Sequence, residues 1–116
     1  MGDVGAALVT MTGQGYAGRC VLMGSNTICA ERAAIARMVS EGNEYQIAQM
    51  VAVWRDAHGR LYVIPPCGHC RQAMHEIDPH NITTTQVVLS HDVVAPLSTL
   101  LPYYDWWQVQ PDSANY

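Results

Sequence analysis

Three cysteines and one glutamate, in two short motifs, are the residues of this sequence best suited to chemistry. Cys29 and Glu31 lie in Cys-Ala-Glu, and Cys67 and Cys70 lie in Pro-Cys-Gly-His-Cys. Three protein ligands leave a tetrahedral Zn²⁺ ion with a fourth position that a water can occupy. A glutamate that is not a ligand can carry protons to and from that water. The two motifs therefore predict a hydrolytic zinc site, suited to removing the amine from an aminopyrimidine ring.

Both cysteine motifs are predicted to begin helices. The first helix is expected over residues 28–40, with Cys29 in its first turn. The second is expected over residues 68–77, with Cys67 and Cys70 at its start. A helix N-terminus carries partial positive charge and unpaired N–H groups. That environment lowers the pKa of a thiol and favours the thiolate that zinc requires.

Neither motif is specific for a catalytic metal when it is taken alone. A Cys-x-x-Cys pair also occurs in redox proteins and by chance, and a single cysteine on an apolar helix is usually a small buried hydrophobe. A redox role leaves Cys29 and Glu31 unused, so the joint pattern favours a catalytic zinc site.

The fourth cysteine, Cys20, has two possible roles. It would complete a closed four-cysteine structural site with no position for water, or it is a buried free thiol on a strand, which is the ordinary role of such a residue. His69 and His75 are expected at the surface or outside the ligand set.

The composition limits the classes of function open to the chain. Its 116 residues, 49% of them apolar and 14% charged, fit one globular domain over residues 1–116. The net charge is −4, lysine is absent and the arginines are scattered. A nucleic-acid polymer is therefore not an expected partner, and Schiff-base or Walker-type phosphate chemistry is excluded. With no membrane-spanning stretch and no signal peptide in view, we expect a cytoplasmic protein with reduced cysteines.

The two motifs alternate with segments typical of strands and helices. In chain order we predict a hairpin from residues 4–11 and 16–23, a helix over 28–40, a buried strand over 47–54, an extended piece over 60–64, a helix over 68–77, a strand over 82–89 and a short helix over 96–101. This order favours an α/β protein, a three-layer α/β/α sandwich around a mixed sheet.

Four segments resemble those of the small cytidine deaminases and of blasticidin-S deaminase. Residues 27–35 (Thr-Ile-Cys-Ala-Glu-Arg-Ala-Ala-Ile) and 66–72 (Pro-Cys-Gly-His-Cys-Arg-Gln) are similar to the two zinc motifs of that family. Residues 4–8 resemble its first strand, and residues 100–102 resemble the start of its C-terminal aromatic segment. The resemblance implies a mixed five-stranded sheet, here lacking the family's usual N-terminal helix.

The same resemblance implies a mechanism and a role for each motif residue. Zinc held by the three cysteines lowers the pKa of its bound water, and the resulting hydroxide attacks the amine-bearing ring carbon. Glu31 carries the proton to the ring nitrogen and to the leaving amine, which departs as ammonia. The backbone at Ala30 helps to hold the amine group, Arg32 offsets the charge of the thiolates, and Gln72 supports the site from outside.

The sequence departs from the family where the substrate sugar would bind. Cytidine deaminases carry an Asn-x-Glu pair that grips the ribose, and the equivalent positions here are Cys20 and Leu22. Both are expected near the substrate, and the loss of each polar partner makes plain cytidine a doubtful substrate. A free base, a modified nucleoside or a blasticidin-like compound tolerates Leu22 better. Trp106 either stacks on the substrate ring or makes a contact between subunits.

Two further expectations concern activity and assembly. Because the ribose contacts are lost, an alternative hypothesis is a catalytically idle, zinc-stabilised binding or assembly domain of the same fold. The retained Glu31 argues against this alternative. The chain is rich in Met, Trp and Tyr and lacks the covering helix, so one copy would expose large apolar patches. Because the family forms dimers and tetramers, we expect a homo-oligomer, with a homotetramer favoured over a dimer.

Overall fold

The computed structural model describes residues 3–104 and 111. The elements in chain order are β1 (Val4–Thr10), β2 (Gly15–Arg19), β3 (Val21–Met23), β4 (Asn26–Ile28), α1 (Ala30–Gly42), β5 (Ile47–Arg55), β6 (Leu61–Ile64), α2 (Gly68–Ile77), α3 (Asn81–Thr84), β7 (Gln86–Ser90), β8 (Val93–Pro96) and α4 (Leu97–Leu100). No helix in this described part of the chain is long and apolar enough to cross a membrane.

The main sheet is mixed and is built around β5. Five strands follow the order β2-β1-β5-β7-β8, and β6 also pairs with β5. β1 is antiparallel to both β2 and β5, whereas β7 runs parallel to β5. β7 pairs with Gln49 and Met50, and β6 pairs with the later stretch Ala52–Arg55. The predicted α/β fold with a mixed five-stranded sheet and flanking helices is confirmed, with β6 as an additional short strand.

One apolar core joins the sheet to the helices. Successive side chains of a strand point to opposite faces, and in β1 the buried positions are Ala6, Leu8 and Thr10. Ala6 and Leu8 belong to one buried apolar cluster with residues of α1 and with the inward residues of β5. The other members of this buried cluster are Ala30, Ala34, Ile35, Met38, Ile47, Met50, Ala52, Met74, Ile82, Val87 and Leu97. Burial of α1 against this core fixes where its N-terminus, and hence Cys29, is held.

A glycine on β2 allows α1 to lie unusually close to the sheet. A Cβ atom placed on Gly18 would be 2.7 Å from the carbonyl oxygen of Ala30 and 2.9 Å from the carbonyl carbon of Ala33, and closer still to the amide nitrogen of Ala34. These atoms belong to the backbone and cannot swing away. Gly18 therefore sets the distance between β2 and the first turns of α1.

The structure differs from the sequence prediction at three elements. The second hairpin strand ends at Arg19, and residues 21–23 instead pair with β4 in a separate two-stranded ribbon. The strand predicted over residues 82–89 starts only at β7, because α3 occupies residues 81–84. The buried Asn81 side chain favours that helix, since it hydrogen-bonds three backbone groups outside it. β8 was not expected.

Candidate active site and metal centre

The first two candidate ligands in the chain cap the two helices that carry the site. Cys29 is the N-cap of α1 and Cys67 is the N-cap of α2, and both have extended backbone conformations. Their carbonyl oxygens accept the first helical hydrogen bonds, from the N–H groups of Ala33 and Arg71. Neither side chain makes a capping hydrogen bond. The sulfurs of these two caps are therefore available for another role.

The three cysteines of the motifs converge on one point. The Sγ atoms of Cys29, Cys67 and Cys70 all lie within 4.8 Å of one another, and those of Cys67 and Cys70 are 3.6 Å apart. Tetrahedral zinc with Zn–S bonds of about 2.3 Å places its sulfurs roughly 3.8 Å apart, so this donor set fits Zn²⁺. Among the residues that the structure describes, Cys20 is not part of the group.

The pKa values of the two α2 cysteines move in opposite directions. For Cys67, burial acts to raise the pKa, but the backbone N–H groups of Cys70 and His69 near its sulfur, together with the thiols of Cys70 and Cys29, outweigh burial, and the pKa is lowered. For Cys70, burial raises the pKa, and the charge of Glu31 and the neighbouring thiols raise it further. Anionic groups this close repel one another, and a divalent cation between them reverses that repulsion. A cation between the sulfurs therefore favours the thiolate form of Cys70.

Arg32 places a permanent positive charge beside the first cysteine. Its Nη2 atom lies 3.7 Å from Cys29 Sγ and donates a hydrogen bond to the carbonyl oxygen of Thr27 at 3.0 Å. The hydrogen bond to Cys29 raises the pKa of the guanidinium, against the opposing effect of burial. Its Nε atom is buried with no hydrogen-bond partner. The structure thus places Arg32 where it can offset thiolate charge.

Glu31 lies beside the sulfurs but outside the ligand group. Its side chain is only 5% exposed, and it lines a cavity of about 280 Å³ that also contains Cys29 and Cys67. The remaining lining residues are Val4, Cys20, Thr27, Ala30, Ile64 and Pro65. The walls away from the sulfurs are mostly apolar, which suits a flat ring. A small cyclic molecule and a carboxylate can therefore meet next to a metal here.

The other predicted site residues are placed as follows. Ala30 and Cys20 line the cavity. Leu22 is 63% exposed on β3 and is not among the residues that line the cavity. The Gln72 amide donates a hydrogen bond to Glu76, one turn along α2. Trp106 lies outside the described residues.

Two residues of the site environment were not singled out from the sequence. Thr27 lines the cavity and is a polar neighbour of the motif residues. Arg71, directly after Cys70, donates hydrogen bonds to the carbonyl oxygens of Pro66 and Leu100. The position of Arg71 in the second motif indicates that it lies near the site, but the sequence does not reveal that its hydrogen-bond partner is the Leu100 carbonyl at the end of α4.

The sequence and the fold of this chain are similar to those of known cytidine deaminases. The family model described as the cytidine and deoxycytidylate deaminase zinc-binding region matches residues 1–86. A cytidine deaminase of Halalkalibacterium halodurans is 36% identical over 103 residues, covering 86% of this chain and 74% of that protein. A probable cytidine deaminase of Dictyostelium discoideum is 44% identical over 71 residues, covering 60% of this chain. The crystal structure of a cytidine deaminase from Mycobacterium tuberculosis matches with a TM-score of 0.68 at 30% identity, covering 85% of this chain and 75% of that one.

Together, the fold and the three-sulfur cluster define an α/β zinc protein with a cavity at its metal centre. The chain belongs to the cytidine and deoxycytidylate deaminase zinc-binding family, and zinc is its cofactor. The resemblance seen in the sequence is thereby confirmed. The cytidine deaminases among its homologues are hydrolases that act on C–N bonds. The matched segment spans 46% of the Dictyostelium relative.

Proposed function

We propose that the chain is a zinc-dependent hydrolytic deaminase that releases the amine of a cytosine-like aminopyrimidine as ammonia. The observation that carries this proposal is the buried Glu31 carboxylate in the wall of the cavity beside the three sulfurs. A purely structural zinc site has no use for an acid in that place, because thiolates alone satisfy the metal. Relatives named as cytidine deaminases support the same class of reaction.

In this proposal the motif residues divide between holding the metal and moving protons. Cys29, Cys67 and Cys70 hold Zn²⁺, which when bound supplies a Lewis acid that activates water near neutral pH. Glu31 accepts a proton from the attacking water and delivers it to the ring nitrogen next to the amine-bearing carbon. It then helps to protonate the leaving amine. The backbone of Ala30, which lines the cavity, holds the amine group in place.

The substrate is proposed to be a cytosine-like compound other than plain cytidine. Cys20 stands in the cavity wall, and Leu22 lies two residues further along. A ribose hydroxyl buried against the Cys20 thiol would lose its hydrogen bonds to water and gain only a weak partner, at a cost of about 1–3 kcal/mol for each lost hydrogen bond. A free base avoids that cost, and a modified nucleoside or a blasticidin-like compound avoids it where its sugar has no hydroxyl at that position.

The test is ammonia release by zinc-loaded protein from cytosine, 5-methylcytosine, cytidine, 2′-deoxycytidine and blasticidin S. We expect turnover of at least one compound, with cytidine not the best of them. The Glu31→Gln variant should retain one zinc per chain and lose at least about 10²-fold in rate, as is typical for loss of a general acid–base. Equal activity of this variant, or no turnover of any compound, would refute the proposal.

The alternative is an idle zinc-stabilised domain, and a spectroscopic experiment separates the two. A site with three sulfurs and an open position should change its cobalt absorption spectrum when an aminopyrimidine or its product is added to Co²⁺-substituted protein. A closed four-sulfur site should not respond. The position of Cys20 outside the sulfur group favours the open site.

We also propose that the chain works as a homo-oligomer, with a tetramer favoured. The β3 strand next to the cavity exposes three apolar side chains in a row, those of Val21, Leu22 and Met23. Contiguous exposed apolar surface of this kind is typical of protein interfaces. Solution scattering should give a mass of two or four chains, and a monomer at micromolar concentration would contradict this expectation.

A further inference from the structure

Arg71 joins two segments that are distant in the sequence. Its Nε atom donates a hydrogen bond to the Pro66 carbonyl oxygen at 2.9 Å. Its Nη1 atom donates to the Leu100 carbonyl oxygen at 3.3 Å. Arginine suits this task because its planar guanidinium presents several donors in a fixed geometry, which a lysine ammonium does not. One side chain thus contacts both the loop before α2 and the end of α4.

The contact with Pro66 fixes the peptide that enters Cys67. The Pro66 carbonyl belongs to the same planar peptide unit as the backbone nitrogen of Cys67, so holding that oxygen orients the start of α2. Of the three cysteines, Cys67 is the exposed one and Cys70 is fully buried. The Cys67 side chain precedes the first turn of α2 and contacts the Cys70 sulfur at 3.6 Å. Because Cys67 is exposed, packing restrains it less than the other two ligands, and a restraint from outside the helix contributes more to its position.

The contact with Leu100 connects this loop to the segment that leaves α4. His75 lies one helical turn after Arg71, so both side chains share a face of α2. The His75 ring packs edge-on against the Tyr104 ring, with centroids 4.8 Å apart and an interplanar angle of 62°. Two side chains of α2 thus contact residues 100–104: His75 packs against Tyr104, and Arg71 hydrogen-bonds Leu100. The same Arg71 guanidinium also hydrogen-bonds Pro66.

We propose that Arg71 is a positioning residue that places Cys67 for zinc and couples zinc retention to the docking of residues 100–104 on α2. The inference rests on zinc as the cofactor of this site and is independent of which aminopyrimidine is the substrate. Partners that orient metal ligands commonly contribute 10–100-fold to metal affinity. The effect of losing Arg71 should fall in that range.

The experiment measures zinc affinity by competition with a chromophoric chelator in Arg71→Gln, Arg71→Lys and His75→Ala variants. We expect about a 10–100-fold weaker affinity for Arg71→Gln and only partial recovery in Arg71→Lys. His75→Ala, which keeps the guanidinium but loses the Tyr104 contact, should weaken zinc binding less. Arg60→Gln is the matched control, because Arg60 pairs with Asp56 beyond the end of β5 and should leave affinity unchanged.

A second measurement separates positioning from general stabilisation. A residue that only stabilises the fold would lower the thermal midpoint of metal-free and zinc-loaded protein equally. A positioning residue should shrink the rise in midpoint that zinc produces, because that rise reports binding to the folded state. Wild-type affinity in both Arg71 variants would overturn the proposal, as would an unchanged zinc-induced rise in midpoint. Should Arg71→Gln fail to fold, Arg71→Lys and His75→Ala decide the matter by the same two readouts.

Discussion

Replacing Gly18 by alanine tests whether close packing of α1 on β2 holds the active site. The added Cβ would lie 2.7 Å from the Ala30 carbonyl oxygen and 2.9 Å from the Ala33 carbonyl carbon. Ordinary contacts between such atoms are about 3.5–4.0 Å, so α1 must move away by about 1 Å. Inserting a methyl group into a packed interior typically costs about 1–3 kcal/mol. We expect the free energy of unfolding of Gly18→Ala to fall by that amount.

The same displacement should reduce activity, because the first turn of α1 carries Cys29 and Glu31 together. A misplacement of about 1 Å at a reacting group costs about 10²-fold in rate. Gly5→Ala is the matched control, since its Cβ would meet its nearest neighbour, the Gly18 carbonyl oxygen, at an ordinary 3.8 Å. Urea unfolding and ammonia release would be measured for both variants. If the two glycine variants had the same stability and the same rate, the close approach would not be what holds α1.

Two further predictions concern the ligand set and the core. Cys20→Ser should still bind one zinc per chain by metal analysis, since Cys20 stands outside the sulfur group, whereas loss of zinc would indicate a four-sulfur site. Asn81→Ala should lower the free energy of unfolding in urea by at least about 2 kcal/mol, because leaving a buried group unpaired costs about 1–3 kcal/mol and the Asn81 side chain serves three of them. Thr83→Ala, whose hydroxyl only donates to the His80 carbonyl on the surface, should change stability little.

The sequence predicted those features whose causes are local. Pro66 and the Cys-x-x-Cys spacing mark the start of a helix, and α2 spans Gly68–Ile77 as expected. The two ligand motifs were readable because each places its cysteines at a helix start. The Thr-rich stretch before β7 was wrongly predicted as strand, because composition favours a strand there while the contacts of Asn81 with distant backbone groups favour a helix. The role of Gly18 could not be predicted from the sequence, because the close approach of the α1 backbone to this glycine depends on how α1 packs on β2.

The active site depends on two restraints that act on different ligands. Packing against Gly18 fixes α1, and with it Cys29 and Glu31 as one unit. The hydrogen bonds of Arg71 fix the loop before α2, and with it Cys67. The Cys-x-x-Cys motif sets the 3.6 Å distance between the Cys67 and Cys70 sulfurs, whereas the distance from Cys29 to this pair is set by these tertiary contacts. This is why the motifs alone identify the chemistry, while the geometry that performs it requires the packed sheet and the end of α4.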